Sequence, residues 1–168
     1  RSDDGSGGVA EYFRVDGSSE LTLFSKQTSH LDNVRANFGD VSDLRIYHDS
    51  SNSYIQHLGT GNLIIQQGLD DGDLVLQCDD GSGGVTAYLT LDGSQTRTNV
   101  SKDLRLDNSV NLQLGGGGNM SMSHDGSNAT FSNATGNLTI QTSTDDGDVI
   151  FRCDDGSGGL TPYLTLDG

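Results

Sequence analysis

The sequence predicts an all-β protein: an elongated repeat architecture of short antiparallel strands. Three observations carry that expectation. The phrase "CDDGSGGVTAYLTLDG" at Cys78–Gly93 returns as "CDDGSGGLTPYLTLDG" at Cys153–Gly168. Apolar residues alternate with period 2 along many short stretches, and no stretch sustains the 3.6 period of a helix. The 168 residues include 24 Gly, 1 Pro and no Trp, with Ser, Thr, Asn and Asp abundant between the apolar stretches, as in strands joined by tight turns.

The repetition extends beyond that phrase. "DDGDLVLQC" at Asp70–Cys78 answers "DDGDVIFRC" at Asp145–Cys153. Further upstream, "DLRIYHDSSNSYIQHLGTGNLIIQ" (Asp43–Gln66) answers "NMSMSHDGSNATFSNATGNLTIQ" (Asn119–Gln141). The offset is 76 at His48 and His124 and 75 at Thr60 and Thr135, so one residue slips between them. The phrase also opens the chain, as "DDGSGGVAEYFRVDG" at Asp3–Gly17. These periods divide the sequence into a first unit over 1–78, a second over 79–153 and the start of a third over 154–168. A chain that opens on Arg1 and stops inside a unit reads as a piece of a longer or processed product.

Taken in order, strands are expected at Val9–Val15, Glu20–Phe24, Asp43–Tyr47, Ser53–Gln56, Asn62–Gln66, Leu104–Leu106, Val110–Leu114, Asn119–Ser123, Ala129–Ser132 and Asn137–Gln141. Asp-Gly and Gly-Asn turns separate many of them. The best-marked element is a hairpin around the Gly-rich loop Asp79–Gly84. The simplest register pairs Cys78 with Val85, Leu76 with Ala87 and Leu74 with Leu89, which gathers the apolar residues on one face. The second copy then pairs Val149, Phe151 and Cys153 with Leu164, Pro162 and Leu160. Pro162 donates no ladder bond, so its strand is an edge there or pairs irregularly.

Leu, Ile, Val and Phe supply 39 of 168 residues, a fraction only just above that of disordered chains of high net charge. The apolar faces are narrow and one-sided. Either successive strands coil into a monomeric β-solenoid, or identical chains cover one another, as in an intertwined homotrimeric β-fibre with inward apolar rows. The net charge of −15, with nine Lys and Arg scattered among 24 acids, argues against nucleic acid and anionic membrane as partners. No apolar run approaches the length needed to span a bilayer.

The phrases "DLRIYHDSSNSYI", "TGNLIIQ" and "DDGSGGVTAYLTLDG" resemble repeats of structural proteins of marine bacteriophages, particularly the tail-fibre-like proteins of cyanophages. That resemblance covers most of the chain. It implies an extracellular virion component, a homotrimeric segment of a tail fibre or spike that acts as a stiff spacer in host attachment. Its partners would be other virion proteins and, at most, a host surface glycan. Tip or chaperone domains of such fibres have no counterpart here. The rival from another class is a calcium-dependent, adhesin-like repeat of a secreted bacterial protein. A third is a glycan-binding or depolymerising spike segment.

Extending the hairpin register outward sets Asp71 opposite Asp92 and Asp146 opposite Asp167, with Asp70, Asp73, Asp145 and Asp148 nearby. Like charges across a ladder are unfavourable, and gathered carboxylates are what Ca²⁺ takes as ligands. These four aspartates are therefore the metal candidates. The plainer reading is a solvated turn needing no cofactor. Cys78 and Cys153, a full repeat apart, are expected to be small buried apolar residues rather than a disulfide pair. His48-Asp49 and His124-Asp125 read as Asx turns, with a threefold metal site as the sharper alternative. Tyr12, Tyr88 and Tyr163 are expected opposite the apolar face, packing against a neighbouring sheet or subunit, with glycan stacking as the alternative. No catalytic residue is assigned: every acid pair is duplicated in the repeat, whereas an enzyme needs one special site.

Overall fold

The computed structural model describes the whole chain, Arg1–Gly168. It is all β: fifteen short strands in small antiparallel sheets, with no helix. The chain forms two compact units, Arg1–Gly72 and Asp73–Gly168. In the first, β1 (Ser2–Asp3) pairs with β2 (Val9–Ala10), and β3 (Phe13–Asp16) with β4 (Leu21–Phe24). A three-stranded meander follows, β5 (Ala36–Phe38), β6 (Leu44–His48) and β7 (Ser53–His57). In the second unit, β8 (Leu74–Asp79), β9 (Val85–Asp92) and β10 (Arg97–Val100) form a sheet with β9 central. Then come a second meander, β11 (Leu112–Leu114), β12 (Met120–His124) and β13 (Ala129–Asn133), and a last hairpin, β14 (Val149–Asp154) and β15 (Leu160–Leu166).

The sequence repeat becomes a structural repeat of two alternating motifs. The meanders share one register: Ile46 faces Ala36 and Ile55, and its counterpart Met122 faces Leu112 and Phe131. The hairpin motif is most complete in β8–β10. Its Asp79↔Val85 pair has counterparts in Asp3↔Val9 and Asp154↔Leu160, and β4 matches β10.

The expected hairpin register is corrected in two steps. Asp79 itself pairs with Val85, so the loop is Asp80–Gly84 and closes through Asp80 N–H to the Gly84 carbonyl at 3.0 Å. Beyond Gln77↔Ala87 the register shifts again, because Tyr88 is an extra residue on β9, and the next pairs are Leu76↔Leu89 and Leu74↔Leu91. The last hairpin repeats the shift at Tyr163, between Arg152↔Pro162 and Phe151↔Leu164. A bulge changes the parity of the strand that carries it. Leu74, Leu76, Leu89 and Leu91 therefore share a face with Cys78 and Thr86, while Val85 and Ala87 lie on the other face with Val75. The single apolar row expected for each hairpin is split between two faces. Pro162 sits beside the bulge on a strand with only one neighbour, where its missing N–H costs little.

Other strands also depart from expectation. Val9–Val15 is divided at Glu11-Tyr12, the equivalent of the bulge. Ala36–Phe38 and Arg97–Val100 are strands although each holds few large apolar residues, because a neighbouring hairpin strand offers them a ladder. Asn62–Gln66, Leu104–Leu106 and Asn137–Gln141, expected as strands, form none.

No residue, apolar or polar, is buried. The chain exposes 13803 Å². Two separate folded domains sharing the 17.7 kDa equally would together expose about 9,600 Å². The difference is about 4,200 Å², and many Leu, Ile, Val and Phe side chains of the sheets and loops are exposed.

Candidate functional site

The acidic loops are built by their own backbone. Asp80 Oδ1 accepts from Ser82 N–H at 2.7 Å and Gly84 N–H at 3.1 Å, while Asp79 Oδ1 accepts from Gly81 N–H at 2.8 Å. The same three bonds recur from Asp3 and Asp4 and from Asp154 and Asp155. Gly81 and Gly83 take φ of 81° and 87°, which the loop requires and L side chains resist. A Cβ on Gly84 would stand 2.7 Å from Asp80 Oδ2. "DDGSGG" is thus a self-closing turn in which each Asp serves the chain that carries it.

The tyrosine of each copy anchors this turn. The hydroxyls of Tyr12, Tyr88 and Tyr163 donate to the carbonyls of Asp3, Asp79 and Asp154 at 2.8, 3.1 and 3.3 Å. The Tyr88 carbonyl in turn accepts from Ser101 N–H at 3.0 Å, and that of Tyr12 from Ser25 N–H at 2.9 Å. The bulge residue is held from both sides. The role expected for these tyrosines was contact outside the hairpin, and their polar ends are instead engaged within it.

The four metal candidates do not stand in the expected pairs. Asp71 and Asp146 occupy turns, with φ of 57° and 55°, closed by Gly72 N–H to Leu69 O and Gly147 N–H to Thr144 O, each at 3.0 Å. After the bulge, the residues that extend the ladder toward Asp92 and Asp167 are Asp73 and Asp148. Their Oδ1 atoms accept from Gly93 N–H at 3.0 Å and Gly168 N–H at 3.3 Å. Asp92 caps its own turn, accepting from Gln95 N–H and the Ser94 hydroxyl, both at 2.9 Å, and from Asn99 at 3.2 Å. The Gln95 bond, then the Ser94 bond, hold its carboxyl below the usual value. No three His, Cys, Asp or Glu side chains converge as a metal-binding group.

His48-Asp49 and His124-Asp125 form the Asx turns expected of them. Asp49 Oδ1 accepts from Asn52 N–H at 2.8 Å and Ser51 N–H at 3.0 Å, and Asp125 Oδ1 from Asn128 N–H at 2.7 Å and Ser127 N–H at 2.8 Å. The Asn52 and Asn128 N–H bonds are the main reason that both carboxyls are held below their usual range. The imidazoles serve the same turns. His48 Nδ1 lies 3.1 Å from Ser53 Oγ, and His124 Nδ1 accepts from Gly126 N–H at 3.0 Å. Cys78 and Cys153 are free and exposed within the chain, not buried as expected.

One cluster has no duplicate. Tyr47 and Tyr54 stack at 4.8 Å and 16°, the Arg35 guanidinium lies 5.1 Å from the Tyr47 ring centre, and the Tyr54 hydroxyl donates to Asp49 Oδ2 at 2.8 Å. The Asp49 carboxylate pushes the Tyr54 phenol up. The second repeat holds Asn111, Ser123 and Thr130 at the matching places. Its signal in the sequence was this failure to repeat. An open apolar hollow of about 230 Å³ lies among Tyr88, Leu89, Val100, Lys102, Asp103 and Leu104. No protein-family model, curated protein or solved structure matches the chain.

Proposed function

We propose that this chain is a mechanical element: a segment of a phage tail fibre or spike that assembles as a homotrimer and acts as a stiff spacer in host attachment. One observation carries the reading. A chain made of repeated hairpins and meanders buries none of its own residues, so its apolar faces need a cover. An excess of about 4,200 Å² per chain far exceeds the roughly 800 Å² a standard interface takes from each partner. The repeat favours identical chains as that cover, because each unit then meets an equivalent unit along a continuous interface. The carboxylates of the Asp79-Asp80 and Asp154-Asp155 loops and of Asp49 and Asp125, with the His48 and His124 imidazoles, are spent on turns and recur with the repeat, which suits scaffolding better than chemistry. The sequence resemblance to cyanophage fibre repeats supplies the virion setting and the attachment role.

Sedimentation velocity combined with negative-stain electron microscopy tests this reading. Uniform rods of trimeric mass are expected, and compact monomers would overturn it.

A further inference from the structure

Two equivalent segments, Asn62–Gln66 ("NLIIQ") and Asn137–Gln141 ("NLTIQ"), carry strand-forming sequences and yet form no strand. No backbone N–H or C=O of either segment is hydrogen-bonded anywhere in the chain. Their apolar side chains are also uncovered: Ile64 is 74% exposed and Ile140 56%. A β-branched stretch with a free backbone edge is a template for another strand. Both segments also lie in windows without ionisable residues, Leu58–Leu69 and Gly126–Thr144, in a chain of net charge −15. Copies of so acidic a chain repel one another except where charge is absent. Leu104–Leu106 likewise forms no strand, but it carries Arg105 and is flanked by Asp103 and Asp107.

We infer that Asn62–Gln66 and Asn137–Gln141 are intersubunit seams, pairing edge to edge with the same segments of neighbouring copies of this chain. This rests on the homo-oligomeric reading above and assigns its contact. A neighbouring copy along each edge of a segment satisfies the orphan donors and acceptors and covers Leu63–Ile65 and Leu138–Ile140. Asn62, Gln66, Asn137 and Gln141 then bracket each seam with amides able to hydrogen-bond between copies.

Hydrogen exchange on the 168-residue chain, with its mass measured in the same buffer, provides the test. Amides 63–65 and 138–140 are expected to exchange at least about a hundredfold slower than unstructured backbone, despite having no partner in their own chain. The double variant Ile64→Asp, Ile140→Asp is expected to lose the assembled mass, and exchange of the wild-type seam amides separates a lost seam from a lost fold. An oligomer whose seam amides exchange at the unstructured rate, or a double variant that stays fully assembled, overturns the seam and leaves the oligomeric reading standing. A monomeric wild-type chain overturns both.

Discussion

Tyr88 illustrates how much one side chain can organise. It is the extra residue of the bulge, its hydroxyl holds the Asp79 carbonyl, and its own carbonyl is held by Ser101. Tyr88→Phe removes the first of these bonds and keeps the ring. A loss of about 0.5–1 kcal/mol is expected, at the low end because the bond is exposed to water. Denaturant midpoints measure that loss, and exchange of the Gly81–Gly84 amides localises it. An unchanged loop would mean that the hydroxyl bond is incidental. The turn carboxylates respond to pH in a fixed direction. Asp49 and Asp125 are held below the usual 3.8, first by the Asn52 and Asn128 N–H groups. Their contribution is therefore fully present above that usual value and lost as pH falls through the lowered one. The Asn52 and Asn128 amide shifts should follow loss of the Asp49 and Asp125 carboxylates with a midpoint below the usual 3.8. A carboxylate midpoint at or above the usual value would contradict the capping role.

At the scale of elements, the glycines of "DDGSGG" are separable by their backbone. Gly83 has φ of 87° and open space around it, so Gly83→Ala meets a purely conformational cost of about 1–2 kcal/mol. Gly116, in the four-glycine turn, also has open space but no positive φ, and Gly116→Ala is expected to be neutral or mildly stabilising. Equal losses in thermal unfolding would contradict the loop geometry. Most of the strand pattern was legible in the sequence, since period-2 alternation and turn residues marked the meanders and hairpins in both copies. The register was not. A bulge inserts one residue without any apolar signature, and Tyr88 and Tyr163 fit the alternation as well as any neighbour. The carboxylate pairs of Asp71 with Asp92 and of Asp146 with Asp167 failed for the same reason, because they extrapolated that register into a turn. Asn62–Gln66 and Asn137–Gln141 have strand propensity, but propensity forms a strand only where a partner strand is present.

For the whole molecule, the governing fact is an acidic chain with uncovered apolar sheet faces. Leu76 and Phe151 lie on the leucine face of their hairpins, 54% and 47% exposed in the single chain. Leu76→Asp or Phe151→Asp adds charge to that face and is expected to abolish assembly, seen as loss of the high-mass species in sizing chromatography. Asp80→Asn keeps the oxygen that accepts from Ser82 and Gly84, and is expected to assemble normally. An assembled Leu76→Asp chain would remove that face from the interface. The claim beneath all of this, that copies of the chain cover one another without a metal, is tested most directly by light scattering behind a sizing column, with and without EDTA. A mass of about three times 17.7 kDa, unchanged by EDTA, is expected. A monomer that expands or unfolds in EDTA would contradict it and favour a calcium-dependent fold of the single chain.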